Sequence, residues 1–309
     1  MKNLRQSQKI FISDIILLVV AAIWGGGFVA GKMALSELSP LAILMYRFCG
    51  SAIILGILFF PHIRNSGIKE KKYGLLIGLL QFIGLLVQLF GLQYTTPAKQ
   101  SFLASSYVIF TPFIAWGIIK TKPMRNDIIA AMIALAGIAL ISLNTALNIQ
   151  LGDPITLVFA AIFSLQIVLI GKYVKDIDVI ALTFYQFASA GVLSLLFVGI
   201  SGVSIVCSNN QALGGTLYLV LINTALAICL QNVAQRYTKE SHAALLLSFE
   251  SVFGFLFSVM IYHERITLQT VLGCGLIFAA ILLSQGGFQK SKKFALLVEK
   301  NYNPDNGTF

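Results

Sequence analysis

Along this chain the apolar positions gather into ten long blocks parted by short polar connections, at about 14–35, 40–60, 73–94, 98–119, 127–143, 153–171, 179–200, 213–236, 242–262 and 268–285. Each block is close to the ~20 residues with which an α-helix, rising ~1.5 Å per residue, crosses a ~30 Å hydrocarbon layer. Inside the blocks the apolar residues are continuous instead of alternating, and each run is about twice the length of a barrel strand. The pattern predicts an all-α membrane protein with ten transmembrane helices.

The pattern is also written twice. Sliding residues 14–48 over 153–187, a displacement of 139, gives 11 identities in 35 positions, among them Ala21/Ala160, Ala22/Ala161, Ile23/Ile162, Tyr46/Tyr185 and Phe48/Phe187. In the later spans the displacement becomes 143, which sets Tyr94-Thr95 on Tyr237-Thr238, Leu103 on Leu246, Ser105 on Ser248 and Phe110 on Phe253. The expected units are 14–143 and 153–286, each with five spans, followed by a cytoplasmic tail over 287–309. Five is odd, so the second unit enters the membrane in the opposite sense and the two repeats are inverted. Inverted units place a pseudo-two-fold axis in the membrane plane and a solute site near the bilayer midplane, and they can rock between inward-open and outward-open states.

Charge tests the span count independently. With both termini cytoplasmic, the inner segments hold 18 of the 22 Lys and Arg residues, the outer ends keep Lys32, Lys99 and Arg265, and Arg47 falls inside a span. This is the asymmetry of the positive-inside rule. The formal charge of +10 is therefore a topology signal, and its division among six inner segments argues against a nucleic-acid-binding face. Composition agrees: 57% of residues are hydrophobic and 11% charged, with a mean hydropathy of +0.86, where soluble domains carry about 25% charged residues. The first block is expected to be retained, because it is longer than a signal-peptide core and belongs to the duplicated pattern. The expected location is the plasma (inner) membrane.

An enzymatic reading finds little support. Cys49, Cys207, Cys229 and Cys274 are widely spaced without metal-ligand or redox spacing, and His62, His242 and His263 are far apart. Neither His-Glu-x-x-His nor Gly-x-Ser-x-Gly occurs, so no cofactor is expected and no nucleophile pairs with a base. The phosphate-binding Gly-x-x-x-x-Gly-Lys-[Ser/Thr] is also missing, which points to gradients as the energy source. A gradient-driven channel is the alternative, but the inverted units and the lack of a charged ring favour a carrier.

Ala22-Ile23-Trp24-Gly25, followed by Phe28-Val29, Lys32, Pro40 and Tyr46-Arg47-Phe48, resembles the start of an EamA-type unit of the drug/metabolite transporter superfamily. Leu247-Ser248-Phe249-Glu250 and Tyr262-His263-Glu264-Arg265-Ile266-Thr267 resemble the span-nine pattern of that family. The resemblance covers about 14 to 286 and implies a ten-helix carrier of small polar or amphiphilic metabolites, often an exporter of amino acids or related compounds. The chain departs from the family pattern at Ser251, where proline is usual, at Lys120-Thr121-Lys122, which stands in place of Gly-Glu, and at His263, which replaces a glycine.

Polar side chains inside the blocks are expensive in lipid and mark the expected solute pathway. Glu250, the one carboxylate well inside a span, lies ~11 Å from the inner boundary and is a candidate for proton coupling or for an interhelical hydrogen bond. Arg47, ~10 Å below the outer surface, offers its forked guanidinium to a solute carboxylate or to exposed carbonyls. Its duplicate is Gln186, so Tyr46-Arg47 and Tyr185-Gln186 differ in charge, which favours an oriented ligand. Gln81 and Gln88 are seven residues apart and share one helix face, and Gln231 adds an amide from the eighth span.

Lys32 can snorkel to the headgroups or line the pathway. Trp24 and the run Gly25-Gly26-Gly27 mark a kink or a close approach, and Gly27-x-x-x-Gly31 and Gly74-x-x-x-Gly78 fit tight helix packing. The expected protein is a secondary transporter working by alternating access on a small-molecule solute in the lipid bilayer, with protons coupled through Glu250.

Overall fold

The computed structural model describes residues 6–120, 122–142, 150–263, 267–269, 271–273, 275–276, 278–280 and 283. Regular structure among the described residues is helical, with no strand. In chain order come α1 (Gln6–Ala34), α2 (Pro40–Leu58), the short α3 (Phe60–Arg64), α4 (Ile68–Gln93), α5 (Pro97–Ala104), α6 (Tyr107–Ile119) and α7 (Arg125–Ser142). There follow α8 (Gly152–Tyr173), α9 (Val179–Ser201), α10 (Asn210–Tyr218), α11 (Ala227–Gln235), α12 (Glu240–Leu247) and α13 (Glu250–Tyr262). A 3₁₀ turn occupies Val174–Asp176, and a π-helical stretch, Leu219–Leu226, joins α10 to α11.

Eight stretches are long and apolar enough to cross a membrane: α1, α2, α4, α5 with α6, α8, α9, α10 through α11, and α12 with α13. The fifth predicted block corresponds to α7, which packs on α5 and α6. Seven of the 18 residues of the tenth block, Cys274 among them, and the whole tail over 287–309 lie outside the described residues.

Local chemistry starts the helices where the sequence changes from polar to apolar. Ser39 accepts from the amide of Ala42 and Thr96 from that of Lys99, each followed by a proline whose missing N–H costs nothing in a first turn. Asp178, the duplicate of Ser39, accepts from Ile180 and Ala181. At the far ends of α6 and α13, Lys120 and His263 take left-handed conformations, with φ of 59° and 52°. These two positions are duplicates at the shift of 143.

Two crossings are interrupted, between Ala104 and Tyr107 and between Leu247 and Glu250. The interruptions are also duplicates, and they face each other. Ser105 Oγ donates to the carbonyl of Ser248, and Ser101 Oγ to that of Ser251, both at 3.3 Å. Equivalent positions in mutual contact mark a pseudo-two-fold axis. Trp24 and Phe163, equivalent at the shift of 139, meet edge to face with ring centroids 5.4 Å apart.

Helix packing obeys the same exchange. α1 packs on α13 as α8 does on α6; α1 lies against α10 and α11 as α8 lies against α4; and α2 and α9 pack on one another. Glycine makes the closest of these approaches feasible. A Cβ at Gly25 would sit 2.5 Å from Phe253 Cβ, and one at Gly74 2.5 Å from Tyr185 Cβ and 2.8 Å from the Leu182 carbonyl oxygen. α1 runs unbroken through Gly25-Gly26-Gly27, so these glycines serve close contact without interrupting the helix.

Duplicated side-chain pairs close the two ends of the bundle. At one end Lys99 Nζ lies 2.7 Å from Asp153 Oδ2; at the other His242 Nε2 lies 3.2 Å from Asp14 Oδ1. Lys99 and His242 are related by 143, Asp153 and Asp14 by 139. The basic connections at 64–72, 122–125, 172–175 and 236–239 fall at the His242 end, whereas Lys32 falls at the Lys99 end.

Candidate functional site

Trp24 of α1, Arg47 of α2, Gln81 and Gln88 of α4 and Glu250 of α13 line a single cavity between the two units, with about 510 Å³ of unfilled space that is partly continuous with solvent. Apolar side chains such as Phe28, Leu85, Phe159 and Phe163 complete much of the wall. The cavity is displaced towards the Lys99 end, since Leu92, near the end of α4, and Gln100 of α5 also face it. A mostly apolar wall with a few convergent polar groups is the common form of a small-molecule site.

Arg47 is the cation of this wall, only 4% exposed. Its Nε donates to Thr224 Oγ1 at 2.9 Å and its Nη2 to Asn223 Oδ1 at 2.8 Å. No carboxylate pairs with it among the described residues. Two of the five guanidinium N–H groups are thereby engaged and three remain for a ligand. Asn223 belongs to the π-helical stretch, where its carbonyl accepts from Trp24 Nε1 at 3.2 Å, so one residue orients both the cation and the indole.

Acceptors stand elsewhere on the wall. Gln100 donates through Nε2 to the Gln88 carbonyl at 2.7 Å, while its fully buried Oε1 has no partner. Glu250, 4% exposed, begins α13. Tyr107 begins α6 and is the duplicate of Glu250. Its hydroxyl faces the Glu250 carboxyl across the pseudo-axis without reaching full hydrogen-bond geometry.

Towards the His242 end the interior is closed by amides. Gln81 Oε1 accepts from Gln166 Nε2 and, at 2.9 Å, from Gln186 Nε2. Gln186 Oε1 accepts from Asn232 Nδ2, which also reaches Thr183 Oγ1, both at 2.9 Å. Beside them Gln231 donates to Gln235 Oε1 at 3.0 Å, and Gln235 to the Ile167 carbonyl at 3.2 Å. Gln231 and Gln186 are completely buried here and do not touch the cavity.

The remaining predicted residues hold the frame. Tyr46 donates to the Ile205 carbonyl at 2.6 Å, and its duplicate Tyr185 shares a 3.0 Å hydrogen bond with Ser66. Ser66 and Ile205 are themselves duplicates, so the two tyrosines tie equivalent loops at opposite ends. Lys32 Nζ donates to the carbonyls of Leu92 and Thr95 at 2.9 and 3.0 Å, satisfying the end of α4. Sequence reasoning passed over Gln100, Thr224, Gln166 and Tyr107. The displacement of 143 would have found Tyr107, since it superposes that residue on Glu250.

Residues 11–143 and again 150–285 match the model of the EamA-like transporter family. A protein of Archaeoglobus fulgidus described as an uncharacterized transporter is 32% identical over 280 residues, which cover 89% of this chain and 86% of that protein. The uncharacterized transporter YoaV of Bacillus subtilis is 27% identical over 287 residues, 89% of this chain and 97% of its own. One solved crystal structure, described only as that of a protein, has a TM-score of 0.67 at 13% identity and covers 90% of this chain and 96% of its own; that likeness is one of fold alone. The duplicated match and the eight membrane-crossing helices lead to one conclusion: this integral membrane protein belongs to the EamA-like transporter family.

Proposed function

We propose that the protein is a secondary transporter that moves a small polar or amphiphilic solute, amino-acid-like and in the export direction, by alternating access between inverted five-helix units at 14–143 and 153–286. α7 and the block at 268–285 serve as the fifth and tenth spans. The basic connections gathered at the His242 end support a cytoplasmic position for that end and for both termini, in the plasma (inner) membrane.

The observation that carries this reading is Arg47, a buried cation on the wall of a cavity between duplicated units, held by neutral partners and facing unfilled space. A solute carboxylate supplies the missing negative charge, the aromatic wall takes the solute body, and the acceptors Gln100 and Glu250 take an ammonium group. Glu250 couples movement to protons.

The test compares metabolites in cells and medium for wild-type protein, Arg47→Gln and no protein. Wild type is expected to lower one class of amino-acid-like solutes inside and raise it outside, while Arg47→Gln approaches the protein-free profile. Identical profiles in all three would reject the proposal.

A further inference from the structure

Exchanging the two units carries the cavity wall onto positions that are sealed in this structure. The shift of 139 takes Arg47 to Gln186, and that of 143 takes Gln88 to Gln231, Leu89 to Asn232 and Leu92 to Gln235. The four starting residues line the cavity, and the four images are 0% exposed. Residues near the pseudo-axis behave differently. Trp24 maps to Phe163 and Leu85 to Ile228, and all four stay in the wall. The cavity is therefore one half of a duplicated design whose other half is collapsed.

The collapsed half is not a finished core. Gln231 Oε1 and Asn232 Oδ1 are buried without partners. Buried polar oxygens without a protein partner are costly in a finished core, and a solute or water that enters when this half opens would satisfy them. The two halves also differ in chemistry. Where the Lys99 end offers a guanidinium between leucines, the His242 end offers uncharged amides.

We infer that Gln186, Gln231, Asn232 and Gln235 form a second solute site, sealed in this conformer, that opens towards the His242 end when the Arg47 cavity closes. This rests on the alternating-access reading. The site takes the polar groups of a small hydrogen-bonding solute through amides and lacks a cation for its carboxylate. An amino-acid-like solute is held by a cation at one face and released from neutral amides at the other, so the two faces bind it unequally.

Thiol labelling tests the site without knowledge of the solute. In a background that lacks the native cysteines and retains the wild-type metabolite profile, Gln88→Cys and Gln231→Cys are introduced singly. A membrane-impermeant maleimide is then applied to oriented vesicles from each face. A second set carries Asp14→Cys and His242→Cys, joined by a short thiol cross-linker that locks the His242 end shut.

The expected result is labelling of the position-231 thiol from the His242 face, reduced about tenfold or more by the lock, as a shifted two-state population requires. The position-88 thiol should label from the Lys99 face and react faster in the locked protein. If position 88 responds to the lock while position 231 never labels, alternation stands and the second site is overturned. If neither responds, alternation fails and the site fails with it. Asn232→Cys replaces Gln231→Cys should the latter not give a monodisperse folded protein.

Discussion

Arg47 and Asn223 are joined by a 2.8 Å hydrogen bond from Nη2 to Oδ1, and it is this bond, across the boundary between the units, that aims a buried cation at the cavity. Hydrogen bonds to charged groups contribute about 1.5–3 kcal/mol, which corresponds to roughly ten- to a hundredfold in affinity. Arg47→Gln is expected to raise the KM for the transported solute by about that factor. Arg47→Lys keeps charge without the fork and should recover only part of the loss. Saturation curves in proteoliposomes check both, and an unchanged KM in Arg47→Gln would remove the cation from solute recognition.

Glycine positions divide by what surrounds them. Gly74→Val forces a side chain into the Tyr185 Cβ and the Leu182 carbonyl, 2.5 and 2.8 Å from the first added carbon. The expected destabilisation is about 1–3 kcal/mol, the usual range for overpacking. Gly117, exposed within α6 and with nothing within 4 Å of its added carbon, should instead accept Ala with a gain of about 0.5–1 kcal/mol. Thermal unfolding in detergent measures both; equal effects would show that the α4–α9 approach does not need glycine.

Lys120 and His263 end their helices at φ of 59° and 52°, a conformation unfavourable for any residue with a Cβ. Lys120→Gly and His263→Gly are each expected to stabilise by about 0.5–1 kcal/mol, relief of the side-chain clash being partly offset by the greater freedom of glycine in the unfolded chain. A lower unfolding midpoint for both would contradict the assigned geometry.

Asp178 gives the pH dependence. Partial burial raises its pKa, but the hydrogen bond and charge of His62, with the amides of Ala181 and Ile180, outweigh burial and hold the carboxyl below its ordinary value. A folded pKa below the unfolded one means stability that is present above the unfolded value, about 3.9 for aspartate, and lost as pH falls through the folded one. Asp178→Ala removes an N-cap and should cost about 0.5–2 kcal/mol at neutral pH. The difference from wild type should shrink as pH falls below about 4. A gap that stays constant into acid would show that the ionised carboxylate is not the stabilising form.

Much of this architecture is legible in the chain because lipid enforces simple rules. Eight of the ten apolar blocks coincide with helices long and apolar enough to cross a membrane, and Gly74-x-x-x-Gly78 sits where α4 meets α9. Trp24, Arg47, Gln81, Gln88 and Glu250, named as polar or small-residue exceptions within spans, converge on one cavity. What the linear pattern hides is which half of the bundle interior is open. Gln88 and Gln231 are duplicates of like chemistry, yet one lines the cavity and the other is sealed, because closure at the His242 end belongs to the tertiary arrangement. The π-helical stretch that presents Asn223 and the breaks at Ser105 and Ser248 are equally silent, since their residues suit an unbroken helix. Tyr46 and Tyr185 share their sequence setting with Arg47 and Gln186 but point to loops, a direction set by helix rotation.

The most direct measurement of carriage is counterflow in proteoliposomes loaded with the solute that the metabolite comparison identifies. A carrier that exposes its solute to one side at a time should take up trace labelled solute transiently above its external concentration, with a flux that saturates as external solute rises. A flux that increases linearly with solute and shows no overshoot would contradict alternating access and place the protein with the channels.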